Sequence, residues 1–229
     1  MAERVLDGAS IVVVGASGGL GRHIAKQLAE SGARLTLAAR DRGALESLGI
    51  DAALVSADLR DAAAGRSIVE TAVEANGRLD GLVNAAGIVA FGALADTDDA
   101  VIEELFLTNV LGPLWLIRAA LPALTESRGF IANISAVVAE QPLAGMVAYA
   151  ASKAALTAAD RALTRELRTA GITVTDARPP HTETGLADRP IAGTAPRLRE
   201  GLQPDLVARR IVAAIRAGER EVPADAFGT

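Results

Sequence analysis

"SIVVVGASGGLGRHIAKQLAESG", residues 10–32, is the stretch whose reading decides the fold. Residues 11–14 are apolar on both faces of an extended chain, so a strand here must be covered on both sides, as in a parallel sheet. A glycine-rich turn follows, then a helical repeat with Leu20, Ile24 and Leu28 on one stripe and Gly32 as its stop. Gly15, Gly19 and Gly21 fall in the turn. A strand that enters a helix through such a turn lets the backbone approach a pyrophosphate closely and aims the first free helix amides at it. Ser17 adds a hydroxyl for a phosphate oxygen. The spacing G-x-x-x-G-x-G is not G-x-G-x-x-G, and no G-K-[ST] follows, which excludes a P-loop. An ordinary strand–helix turn with no ligand is the competing reading.

The same alternation continues outward from this unit. Short β-branched runs predict strands over 33–40, 51–59, 78–87, 129–135 and 171–177, with a short seventh in "EREVPA". Helical periodicity fills the gaps near 44–48, 62–76, 98–124 with a bend at Pro113, 149–170 and 205–217. Strands alternating with helices, joined by right-handed crossovers, give an α/β fold: a doubly wound, mostly parallel sheet of six to seven strands with helices on both faces. No linker or repeat divides the chain, so residues 1–229 read as one domain, with an irregular Pro/Gly-rich segment at about 178–203.

Composition narrows the function classes. A net charge of −5, a pI near 5.2 and scattered arginines argue against a nucleic-acid partner. The chain has no cysteine, hence no disulfide framework and no thiol nucleophile. His23 and His181 are too few and too far apart for a zinc site, and no metal is expected. The N-terminal "MAERVLDGAS" lacks an apolar signal region, and no uninterrupted apolar run is long enough to span a bilayer. The expectation is a cytoplasmic protein with no membrane partner.

A second stretch carries chemistry: "NISAVVAEQPLAGMVAYAASK", residues 133–153. It holds the only tyrosine, Tyr149, and one of the two lysines, Lys153. Residues four apart share a helix face, so the two side chains project together. A phenol with its ordinary pKa near 10 is a poor proton donor or acceptor near neutrality. A cation one turn away, at about 4.5 Å and an effective dielectric near 20, would favour the phenolate by roughly 3–4 kcal/mol. The ammonium can also donate to ribose hydroxyls, which a planar guanidinium does less compactly. A surface Tyr–Lys pair that merely supports a helix is the plainer alternative.

Taken in order, these motifs resemble the classical short-chain dehydrogenase/reductase family, whose Rossmann-type fold carries this glycine spacing. "SADLRD" resembles the segment whose acid, here Asp58, meets the adenine, with Leu59 beside it. "NAAG", with Asn84, Ala85 and Gly87, is similar to the family's N-[AN]-A-G, and "YAASK" matches Y-x-x-x-K. "LFLTNVLG" places Asn109 at the asparagine that supports a water linking the lysine to solvent. The resemblance implies a nicotinamide cofactor held by Gly15, Ser17, Gly19, Leu20, Gly21, Arg40, Asp58, Leu59, Asn84, Ala85, Gly87, Tyr149, Lys153, Pro179, Thr182 and Thr184. It also implies a homodimer or homotetramer through the helices at 98–124 and 149–170. At the end of the second strand, "LAARDR" has Ala39 where NAD enzymes place an acid, and Arg40 suits a 2′-phosphate. This points to NADP(H) over NAD(H); Asp41, one residue on, is the alternative ribose acid.

Two departures stand out. Counted back from Tyr149 or forward from the fifth strand, the family's serine falls on Ala136, one residue past Ser135. Either a bulge swings Ser135 inward to orient the carbonyl, or one donor is missing. After the sixth strand, Pro179 and Pro180 stand where the family shows Pro-Gly, removing a backbone N–H and bringing His181 into view as a contact. The expected activity is NADP(H)-dependent reduction of a small carbonyl or oxidation of an alcohol. Tyr149, Lys153, Ser135 and Asn109 are its catalytic set, and a mobile lid lies at 186–203. The rival is a dinucleotide-binding sensor or assembly subunit with little turnover.

Overall fold

The computed structural model describes residues 3–228. Seven strands form one sheet in the order β3-β2-β1-β4-β5-β6-β7, with every neighbouring pair parallel. They are β1 Ser10–Val14, β2 Arg34–Ala39, β3 Ala52–Ser56, β4 Gly81–Asn84, β5 Phe130–Ile134, β6 Thr173–Ala177 and β7 Glu221–Val222. The helices are α1 Gly21–Glu30, α2 Arg42–Glu46, α3 Ala64–Asn76, α4 Asp99–Phe106, α5 Gly112–Ser127, α6 Val147–Glu166 and α7 Pro204–Ala217. The expected mostly parallel sheet is therefore wholly parallel, and β3 and β4 are shorter than their apolar runs suggest.

Alternation along β1 assigns the two layers. Ile11 and Val13 pack with Ile24 and Leu28 of α1 and with Val207, Ile211 and Ile215 of α7. Val12 and Val14 pack on the other face with Ile68 of α3 and with Leu116, Ile117 and Leu124 of α5. Each fully buried Leu or Ile here contributes about 1.5–3 kcal/mol of burial free energy, so both layers are anchored independently of any ligand.

Between α4 and α5 the chain makes a π turn, Leu107–Leu111, in one continuous helical run. Its cause lies in the sequence. Pro113 has no N–H to give to the carbonyl four residues back, which is that of Asn109. Gly112 then packs on Leu59; a Cβ there would sit 2.7 Å from the Leu59 carbonyl oxygen. The run Asp99–Ser127 is, by length and composition, apolar enough to cross a membrane, although Glu103, Glu104, Asn109, Arg118 and Glu126 interrupt it. In the fold, Leu105, Leu116, Ile117, Ala120 and Leu124 on this run are buried against the protein's own core.

Candidate active site

The carboxyl ends of β1, β4, β5 and β6 converge on one crevice. Gly15 leaves β1 with φ +74°, a conformation that favours glycine. The glycines of this turn are close to protein as well as shaped for a ligand. A Cβ on Gly15 would meet Ala86 N at 2.6 Å and the Ala85 carbonyl carbon at 2.7 Å, and one on Gly21 would run into the Gly15 carbonyl oxygen. A Cβ on Gly19 would overlap Thr184. Leu20 precedes α1, and the Ser17 carbonyl accepts from the Arg22 guanidinium at 3.0 Å.

At the end of β2, Ala39 is buried and Arg40 is exposed, with no ion pair to its side chain among the described residues. Asp41 is the N-cap of α2, its carboxylate accepting from Ala44 N at 3.1 Å, so it is committed to the helix. Asp58 is gripped by Arg60, with Arg60 Nη2 2.6 Å from Asp58 Oδ2, and Arg60 also holds Glu104 at 2.9 Å. That guanidinium lowers the Asp58 pKa below the ordinary carboxylate value. Leu59 is buried beneath Gly112.

Tyr149 is 6 % exposed and sits in an apolar cluster with Val89, Phe91, Leu105, Val138 and Met146. Ala136 packs against this cluster, together with Leu186, Ile191 and Ala192 of the irregular segment. The segment is fastened by Ile191 N to Val89 O at 2.9 Å and by Phe91 N to Ala192 O at 3.0 Å. Lys153 Nζ donates to Ile134 O at 3.0 Å, and a Cβ on Gly87 would lie 3.1 Å from that nitrogen. Asn109 Oδ1 accepts from Ile88 N at 3.0 Å; its Nδ2 donates to Ile88 O and to Ser152 Oγ, each at 3.0 Å. The π turn and Ile88 thus clamp Asn109 beside Lys153 and Gly87.

Two electrostatic expectations change. Burial pushes the Tyr149 phenol up, and no charge opposes it. Burial pushes Lys153 down to about 8, against a raising effect from Asp176. The lysine is turned to the Ile134 carbonyl, so it does not deliver to the phenol the lowering that the four-residue spacing suggests.

Ser135 is not in the crevice. Its side chain continues the face of Asn133 two residues earlier, under α6, and its hydroxyl is 2.9 Å from Thr157 Oγ1. Strand alternation thus turns Ser135 away from Tyr149 and leaves a methyl group, Ala136, on the Tyr149 side. His181 lies apart from Tyr149, partly open to solvent. Its ring lies 3.4 Å from Glu183 and beside Gly201, with Asp188 and Arg199 near, not among the residues around Tyr149. The Pro179 carbonyl accepts from Val137 N at 3.0 Å, and the Thr182 hydroxyl donates to Pro180 O at 2.9 Å.

Sequence reasoning missed Ile88 and Ser152, which hold Asn109, and a polar row beneath α6 that is buried from Asn84 to Asp176 and exposed at Glu221. Asn84, Asn133, Asp176 and Glu221 are register partners across β4, β5, β6 and β7. Arg178 joins Asp176 at 3.0 Å and Glu221 at 2.7 Å; its Nε lies 2.5 Å from Glu140 but out of line for a hydrogen bond. The available signal was Asp160, an acid on the helical stripe of Leu156 and Leu163.

The crevice fits a dinucleotide: glycines at a helix N-terminus, an exposed arginine where the strand-end acid is absent, and a phenol beside a buried amine. The comparisons agree. Residues 9–192 match the family model described as short chain dehydrogenase. An uncharacterized oxidoreductase of Staphylococcus saprophyticus is 30 % identical over 217 residues, covering 90 % of each chain. A ketoacyl reductase of a Nostoc species is 31 % identical over 227 residues, covering 95 % of this chain and 78 % of that one. A solved short chain dehydrogenase/reductase of Burkholderia phymatum, in complex with NAD, superposes with a TM-score of 0.87 at 26 % identity, covering 96 % and 90 %.

Proposed function

The chain belongs to the short-chain dehydrogenase/reductase family of NAD(P)-dependent oxidoreductases, and on that premise we propose that it reduces an uncharged, apolar carbonyl compound with NADPH. The observation that carries this reading is Tyr149, buried in a cluster with Val89, Phe91, Leu105, Val138 and Met146 one helical turn from Lys153. A charged substrate group entering that apolar cluster would be desolvated.

The dinucleotide would lie over Gly15–Gly21, with Arg40 at a 2′-phosphate and Asn84–Gly87 along its floor, and when bound it supplies the hydride. Tyr149 gives a proton to the carbonyl oxygen. Its raised pKa keeps the phenol protonated at neutral pH, which suits an acid in the reducing direction. Lys153, near 8, titrates close to working pH and holds its proton within reach of the ribose side of the cleft. Leu186, Ile191 and Ala192 keep water from the reacting carbon. Exposed Leu111 and Val147, on the same helical layer, support a homo-oligomer pairing through α4–α5 and α6.

NADPH oxidation with a panel of apolar ketones tests the activity. Tyr149→Phe is expected to remove turnover by about 10²–10⁴-fold while NADPH still binds. Arg40→Asp is expected to shift preference toward NADH by about tenfold or more. Equal NADPH and NADH affinities in both proteins would sink the cofactor assignment. Ala136 favours a second reading, a dinucleotide-binding protein with little turnover. Tight NADPH binding without ketone-dependent oxidation, indifferent to Tyr149→Phe, would select it.

A further inference from the structure

We propose that Asp160, which lies outside the cleft, is a positioning residue for the dinucleotide site, acting through the amides of Asn133 and Asn84. The inference rests on the dinucleotide reading above. The chain of contacts is continuous. Asn133 Nδ2 donates to Asp160 Oδ1 at 2.6 Å, Asn84 Nδ2 donates to Asn133 Oδ1 at 3.2 Å, and Ala86 N donates to Asn84 Oδ1 at 3.3 Å. Asp160, Asn133 and Asn84 are at most 1 % exposed, so water does not compete for these bonds.

Direction is what gives the chain its effect. Asp160 Oδ1 can only accept, so it fixes which end of the Asn133 amide faces it. That leaves the Asn133 oxygen for Asn84 and turns the Asn84 oxygen onto the Ala86 amide. A flip at any link would set oxygen against oxygen and nitrogen against nitrogen. The last link is the floor of the cleft. Ala85 and Ala86 press on Gly15, while Gly87 faces Lys153 Nζ and Asn109 Oδ1. One carboxyl group on α6 therefore sets the backbone that joins the glycine turn to the catalytic corner.

The other side of Asp160 shows how it is kept there. Among the described residues, Asp160 Oδ2 and Asp176 Oδ1 are both buried without a hydrogen-bond partner. Arg178, just past β6, pairs with Asp176 at 3.0 Å and favours its charged form, against burial, which raises the Asp176 pKa. Burial raises the Asp160 pKa to about 8, which favours its protonated form, and the Asp176 charge adds to this. The remaining charges near the pair are Lys153 on α6, Glu221 on β7 and Arg178 itself.

The full-length protein and its variants decide this by NADPH fluorescence titration, with steady-state kinetics and thermal unfolding alongside. Asp160→Asn keeps an acceptor toward Asn133, so its NADPH affinity should stay within about twofold of the parent. Asp160→Leu and Asp160→Ala remove the acceptor, and each should weaken NADPH binding and raise its KM by about tenfold, with kcat little changed. Unchanged affinity in both apolar variants overturns the proposal. So does a loss in Asp160→Asn as large as in Asp160→Leu, which would assign Asp160 a charge role. Failure of both apolar variants to fold would show a fold determinant instead. A parent protein that binds neither dinucleotide defeats the functional reading itself, a result distinct from all of these.

Discussion

At position 136 the side chain ends at Cβ. On the proposed reading, a substrate oxygen at Tyr149 would have a methyl group beside it, because strand alternation turns Ser135 under α6. An oxyanion donor is commonly worth about 10²–10³ in rate. Ala136→Ser is therefore expected to raise kcat by on the order of 10²-fold, with a smaller change in KM, read from NADPH consumption with an apolar ketone. An unchanged kcat would mean that the substrate oxygen does not pass this position. Tyr149, Lys153 and Asn109 could be found in the sequence because their spacing and rarity mark them out. The direction of Ser135 was open on sequence, since a bulge of one residue would have reversed it. The charge state of Tyr149 was misread for a different reason. Spacing gives proximity along a helix, but not that Lys153 prefers the Ile134 carbonyl or that burial dominates the phenol.

Among the elements, the helical run through α4 and α5 shows how far a local signal carries. Pro113 announced a bend, yet the irregularity lies at Leu107–Leu111, because a missing N–H is felt by the carbonyl four residues earlier. The sequence therefore held the cause and misplaced the effect. The covering segment is a second case. Its composition marked it as irregular, but its docking rests on two backbone bonds to Val89 and Phe91 that no side-chain pattern encodes. Gly193 has φ +72°, and a Cβ there would collide with the Phe91 carbonyl. Gly193→Ala should cost that docking about 1–3 kcal/mol. The expected result is faster proteolysis near residue 193 and a higher KM for the carbonyl substrate, with NADPH affinity preserved. A variant with parent-like KM and proteolysis would show that the segment is held elsewhere.

For the molecule as a whole, the sheet order followed from the alternation of runs, whereas the polar row across it did not. Residues 84, 133, 176 and 221 are far apart in the chain, and only strand register brings them side by side. That row gives stability an unusual dependence on pH. Asp160 is raised from 3.8 to about 8, so the folded state keeps a proton that the unfolded state loses, and stability falls as pH rises from about 4 to 8. Lys153 is lowered from 10.5 to about 8, so the unfolded state binds the extra proton and stability recovers between about 8 and 10.5. Urea unfolding across this range should show a minimum near pH 8; Asp160→Asn should flatten the falling limb and Lys153→Met the rising one. A stability that climbs steadily through pH 4–8 in the parent would contradict the protonated state assigned to Asp160. The seat of Thr184 upon Gly19 has a consequence for exchange of side chains: any residue larger than glycine at position 19 would have to push the stretch after β6 off the glycine turn.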